Sequence, residues 1–118
     1  LVREAVKSAL FCSEIIIVDI SGKNELPEIL SGLEIKIKKG EKVPIGEIIR
    51  CREVANAAHD WVLFLDPDEV FEKELQHSLI DFFTFVHSDI AGIKVSWPFY
   101  FRKRQLNGTF WGQQPSYK

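Results

Sequence analysis

The sequence contains no methionine and only two cysteines among its 118 residues. Cys12 and Cys51 show neither metal-site nor redox-motif spacing. They read as two reduced thiols, which points to a cytosolic setting. No apolar run approaches the roughly 20 residues that a membrane-spanning helix needs. Excess charge of either sign is also lacking. Fifteen Lys and Arg against seventeen Asp and Glu leave a net charge of −2 and a pI near 5.9, which argues against broad nucleic-acid binding. There is no internal repeat, no low-complexity segment and no interdomain linker. What is present, 46% apolar and 27% charged residues, suits one modest globular domain with a real core.

The stretch Trp61-Val62-Leu63-Phe64-Leu65-Asp66-Pro67-Asp68-Glu69-Val70 organises the rest. Its apolar half predicts a strand buried on both faces. Pro67 favours extended geometry at Asp66 and removes an N–H, so the ladder should stop there. The three acids allow two readings. One is an acidic turn before a helix starting near Phe71. The other is a cation site, in which Asp66 and Asp68 converge on a hard ion such as magnesium or manganese.

The remaining chain alternates helix and strand. Leu1, Val2, Ala5, Val6, Ala9 and Leu10 share a helical stripe. Residues 14–19 repeat the pattern of an apolar strand ending in a carboxylate, Asp19. A turn over residues 21–24 and a short helix with Pro27 in its first turn follow, and Gly32 breaks that helix. Leu33, Ile35 and Ile37 alternate with Glu34, Lys36 and Lys38, the pattern of a half-exposed edge strand. A helix is predicted over 45–58, with Ile45, Ile48, Ile49 and Ala55 inward and Arg50 and Arg52 solvated. Leu75, Leu79, Phe82, Phe83 and Val86 give another helix core. Residues 90–101 predict a long strand interrupted at Pro98, and residues 102–118 a loop with a turn at Asn107-Gly108. This order implies a three-layer α/β fold with a mainly parallel sheet and Asp19 and Asp66 at carboxyl ends of strands, where open α/β sheets bind ligands.

Glu14 to Asn24, Arg50 with Asp60-Trp61, and Leu65 to Glu69 together resemble successive motifs of family 2 glycosyltransferases. The lipopolysaccharide- and polysaccharide-biosynthesis type, with its Leu-Asp-x-Asp-Glu stretch, is the most similar, and Ala91-Gly92-Ile93 and the aromatic segment to Trp111-Gly112 fit it too. The resemblance implies the nucleotide-diphospho-sugar transferase (GT-A) fold, a nucleotide-diphosphate sugar donor, a Mn2+ or Mg2+ cofactor and an acceptor that is a glycan or lipid-linked. It implies that Asp19 meets the base or ribose, Arg50 lies near the diphosphate, Asp66 lies near ribose and metal, and Asp68 holds the metal. Glu69 matches the acid that follows the motif. The location implied is cytoplasmic, including the inner membrane face.

Some positions depart from the pattern. Ser21-Gly22-Lys23-Asn24 stands where Gly-Ser-x-Asp is usual, Cys51 where Asn is usual and His59 where Gly is common. His59 reads as a polar loop residue. The family's general base, an Asp, lies beyond Lys118, and its first strand, central between 14–19 and 61–65, precedes Leu1. The chain is therefore expected to be a partial domain, inactive alone and prone to association. Two other functions fit the residues. A haloacid-dehalogenase-like phosphatase would use Asp66 as nucleophile and Asp68 as acid/base. A non-catalytic remnant would bind nucleotide only.

Overall fold

In the computed structural model of the protein, helix α1 (Val2–Ser8) buries Ala5 and Val6, with Ala9 buried just past its end. The apolar stripe is narrower than its sequence pattern, since Leu1 and Leu10 at its ends stand exposed. Ser8 lies on the buried side without an unmet polar atom. Its hydroxyl donates to the Ala5 carbonyl (2.7 Å) and accepts from the Phe71 N–H (3.0 Å). The structure describes residues 1–85, 89–102, 104–106 and 116–117. They fall into two units, Leu1–Thr84 and Phe85–Lys118.

In the first unit, strand β1 (Ile16–Asp19) pairs in parallel with β2 (Lys36–Lys39), Ile16 opposite Lys36 and Asp19 opposite Lys39. The short helix α2 (Leu26–Ile29) lies between them in sequence, with Pro27 in its first turn. Its last carbonyls lack helical partners, and the Arg3 guanidinium supplies them by donating to the carbonyls of Ile29 and Ser31. β2 is an edge strand, as its lysines predict. Lys36 reaches Glu14, and Lys38 reaches Glu53 on helix α3 (Glu47–Val54) at 2.6 Å. Gly40 closes the ladder by donating its N–H to the Asp19 carbonyl (2.9 Å). A Cβ at Gly40 would sit 2.6 Å from Val18 Cγ1, so no larger residue fits there unmoved. Helix α4 (Lys73–Thr84) buries Leu79, and the half-buried Phe82 and Phe83 pack edge-on against Trp61.

The second unit holds two small antiparallel pairs. β3 (Lys94–Val95) pairs with β6 (Ser116–Tyr117), and β4 (Tyr100–Phe101) with β5 (Arg104–Gln105). Val95 is buried and Ile93 and Trp97 half-buried, while Lys94 and Ser96 are exposed; Phe99, expected on the same face as Val95, is exposed as well.

The fold is therefore α/β, with a two-stranded parallel sheet and four helices among the described residues. No described helix is long and apolar enough to cross a membrane. Several expectations need correction. Residues 61–65 form no strand: among the described residues no backbone hydrogen bond reaches 62–65. Their composition suits a buried strand, but a strand exists only where a neighbour supplies the ladder. α3 is shorter than 45–58, and Ile45, Ile48 and Ala55 face outward, only Ile49 being half-buried. The long strand of 90–101 is reduced to two pairs of residues on either side of Pro98, whose missing N–H interrupts pairing. Part of the tail expected to be loop pairs instead as β5 and β6. Val86, Asn107 and Gly108 lie outside the described residues.

Candidate functional site

Asp19 ends β1, and the chain turns sharply after it. The Ser21 N–H (2.9 Å) and hydroxyl (2.6 Å) both donate to Asp19 Oδ1, and the Lys23 N–H donates in turn to Ser21 Oγ (3.0 Å). These bonds favour the charged form. The Ser21 hydroxyl, then the Ser21 N–H, and more weakly the Lys39 ammonium hold the Asp19 carboxyl below the usual carboxylate range.

Asp66 opens a β-turn with Pro67 at its second position, closed by the Glu69 N–H donating to the Asp66 carbonyl (3.0 Å). The Asp66 N–H donates back to Glu69 Oε2 (2.9 Å). Glu69 therefore fastens the turn from both sides. Arg50, on α3, donates to Asp66 Oδ1, lies 3.8 Å from Glu47 Oε1, and has its guanidinium carbon 5.6 Å from the centre of the Phe64 ring. Asp68 stands at the exposed crest of the turn. Among the described residues no group of three or more His, Cys, Asp or Glu side chains converges to hold a metal ion.

Two clefts adjoin these residues. The first, about 870 Å³, is backed by α3 and α4 and lined by Arg50, Val62, Phe64 and Asp66. The second, about 610 Å³, is backed by α1 and α2 and lined by Ile15, Ile17, Asp19 and Asp66. Ile16, Val18, Ile20, Leu63 and Leu65 reach both. The structure thus joins Arg50 directly to Asp66 and sets Asp19 and Asp66 on one cleft. Asp68 lines neither cleft. Arg52, Cys51 and His59 are exposed, and His59 lines the first cleft. Cys12 lines both clefts, and burial pushes its thiol up, away from the reactive thiolate.

Glu14 was not legible as a site residue. Its carboxylate accepts from Lys36 Nζ and from the Ala58 N–H (3.0 Å), so one side chain ties the start of β1 to β2 and to the approach to residue 61. No sequence signal separates it from a solvated acid at a strand entrance. The Lys36 hydrogen bond, then the Ala58 N–H, hold it below the usual range. Because folding lowers this pKa, the ionised carboxylate favours the folded state above the unfolded value of about 4.3. That gain is lost as the pH falls through the lower folded value. Urea unfolding measured between pH 7 and pH 3 should show stability falling with acid, and Glu14→Gln should flatten that slope. An unchanged slope would mean the clamp is not ionic.

Comparisons with protein-family models, with curated proteins and with solved structures found no match for this chain.

Proposed function

We propose that this chain binds a nucleotide-diphosphate sugar and belongs to a metal-assisted, inverting glycosyltransferase of GT-A type. The observation that supports it most is the pairing of Arg50 with Asp66 beside a cleft that Asp66 shares with Asp19. An acid at a strand end accepts donors from a ribose or base. A guanidinium is always charged and presents several N–H groups to phosphate oxygens. Phe64 and Asp66 hold that guanidinium in place before ligand arrives, which reduces the ordering cost of binding.

The carboxylates of Asp66 and Asp68 fit a hard divalent ion in chemistry. Magnesium and manganese sites that share substrate phosphates need only one or two protein carboxylates, so the want of a three-residue cluster among the described residues is no obstacle. Asp68 would be the main ligand, with Asp66 beside it. When bound, such an ion stabilises the negative charge that builds on a leaving diphosphate. Glu69 positions both acids through the turn that it closes. The acceptor is a glycan or lipid-linked hydroxyl.

Calorimetric titration of the full chain with uridine and guanosine diphosphates tests this. Binding with manganese, at least tenfold weaker in EDTA, is the expected result. Equal affinity with and without chelator overturns the metal assignment. No binding of either nucleotide, with Asp66 trapped as an aspartyl-phosphate by acetyl phosphate, would move the function to phosphoryl transfer.

A further inference from the structure

We infer that the β4–β5 hairpin is a binding surface for a phosphorylated saccharide. The near-neutral total charge of the chain hides a division between its two units. Residues 85–118 hold five of the fifteen Lys and Arg and one of the seventeen acids, Asp89, which gives a net charge of +4 and leaves residues 1–84 at −6. The same short unit holds eight of the fourteen aromatic residues. The charge calls for an anionic partner, and exposed aromatic rings call for one with an apolar face.

Both features meet on the hairpin. Tyr100 pairs with Gln105 and Phe101 with Arg104, and the Leu106 N–H donates to the Phe99 carbonyl (2.8 Å). The chain reverses between paired residues 101 and 104, a tight turn that needs left-handed backbone and usually takes Asn or Gly. Arg102 stands there instead, at φ 47°, so the turn itself gives no reason for a guanidinium. Arg102, Lys103 and Arg104 are consecutive in the sequence, and both arginines are exposed. Just before them, Phe99 is 36% and Tyr100 57% exposed. Directly opposed residues share a face, so Tyr100 and the exposed Gln105 place a phenol ring beside a carboxamide. A sugar ring offers a C–H face to the one and hydroxyls to the other. A phosphate monoester carries a charge of about −1.5 to −2 and accepts paired N–H groups from a guanidinium. Three consecutive cations match that charge better than the single charge of a carboxylate. An anionic bilayer or a polynucleotide fits less well. Each is an extended field of negative charge that repels a chain of net −2, and a short hairpin gives no track for a polymer backbone.

This deepens the proposed function by giving the class of the acceptor, and as an acceptor assignment it rests on that reading. The probes carry neither nucleotide nor metal, so hairpin binding and nucleotide binding fail separately. Glucose 6-phosphate titrated into the full chain, followed by backbone amide shifts in NMR, should perturb residues 99–106. It should bind at least about fivefold more tightly than methyl glucoside, inorganic phosphate or glucuronate. Arg104→Gln and Tyr100→Ala should each weaken it at least about fivefold, with an unchanged unfolding transition. Arg102→Gly should weaken it as well, although glycine suits the backbone there, so misfolding does not account for that loss. Equal binding of inorganic phosphate or of methyl glucoside overturns the proposal. Tighter binding of glucuronate overturns the phosphate assignment, and shifts confined to residues 1–84 reject the hairpin as the site. Cosedimentation with phosphatidylglycerol vesicles that Arg104→Gln abolishes would give the hairpin to a membrane surface and reject the proposal. Oligouridylate binding more tightly than glucose 6-phosphate, and lost in the same variant, would reject it in favour of nucleic acid.

Discussion

Asp68→Asn is expected to remove metal-dependent nucleotide binding, with a loss of about 100-fold or roughly 2.7 kcal/mol in the presence of manganese. Asp68 is exposed at the crest of the turn that Pro67 and Glu69 fix, so its carboxylate is available to an ion without rearrangement. The amide keeps the shape but gives up the charge that a hard divalent cation needs. Folding should be indifferent, since exposed substitutions away from structural contacts usually stay within about 0.5 kcal/mol. Asp19→Asn separates the two roles. It should weaken nucleotide binding with and without metal alike, because Asp19 lies at the end of β1 and not in the acidic turn. Titrations of both variants with manganese and with EDTA give the comparison. If Asp68→Asn retains its manganese dependence, the ion is held elsewhere.

Phe71→Ala is expected to unfold the first unit or bring it close to unfolding. Phe71 is 2% exposed and meets the Phe11 ring edge-on at a centroid distance of 5.7 Å. Its N–H binds Ser8 Oγ, and its carbonyl accepts from Gln76 Nε2 at 2.8 Å. The backbone of residue 71 therefore joins the end of α1 to the chain just before α4, while its side chain packs on Phe11 in the core. Truncating a buried Phe costs about 3–5 kcal/mol, against a total stability of about 5–15 kcal/mol for an ordinary domain. This core is thin. The described buried apolar residues of the first unit are Ala5, Val6, Ala9, Leu30, Phe71 and Leu79, while Ile45, Ile48, Val54 and Ile80 are exposed. Urea denaturation followed by circular dichroism should show a lost or strongly shifted transition for Phe71→Ala. Phe71→Leu, which keeps most of the volume, should retain a cooperative one. A shift below about 1 kcal/mol for the alanine variant would mean that Phe71 is not a principal core residue.

The two effects also separate binding from folding. Asp68→Asn changes charge at an exposed turn, and Phe71→Ala changes packing at a buried side chain. Loss of nucleotide binding in Asp68→Asn with an unchanged transition assigns the turn to ligand binding. An altered transition in that variant would assign Asp68 to the fold instead.

The sequence alone determined the local elements whose causes are local. Alternation of Leu33, Ile35 and Ile37 with charged residues marks a half-exposed edge strand, and the structure has one at Lys36–Lys39, with 33–35 outside it. Pro27 marks the first turn of α2, and Pro67 the turn after Asp66. The acid at the end of β1 was legible because a continuous apolar run stops at it. Tertiary structure alone decided whether 61–65 is a strand. Its side chains have the right composition, but a ladder needs a second backbone at the right spacing, and no local rule supplies one. The partners of Arg50 and Glu14 were decided in the same way. The pattern of the sequence alone left Glu14 and Arg50 as solvated charges, the resemblance alone putting Arg50 near a diphosphate, and each meets its partners across a large sequence separation, at Asp66 for Arg50 and at Lys36 and Ala58 for Glu14. Periodicity reports which face of an element is apolar. It carries no record of which distant chain will lie against that face, because burial and ion pairing are properties of the assembled surfaces.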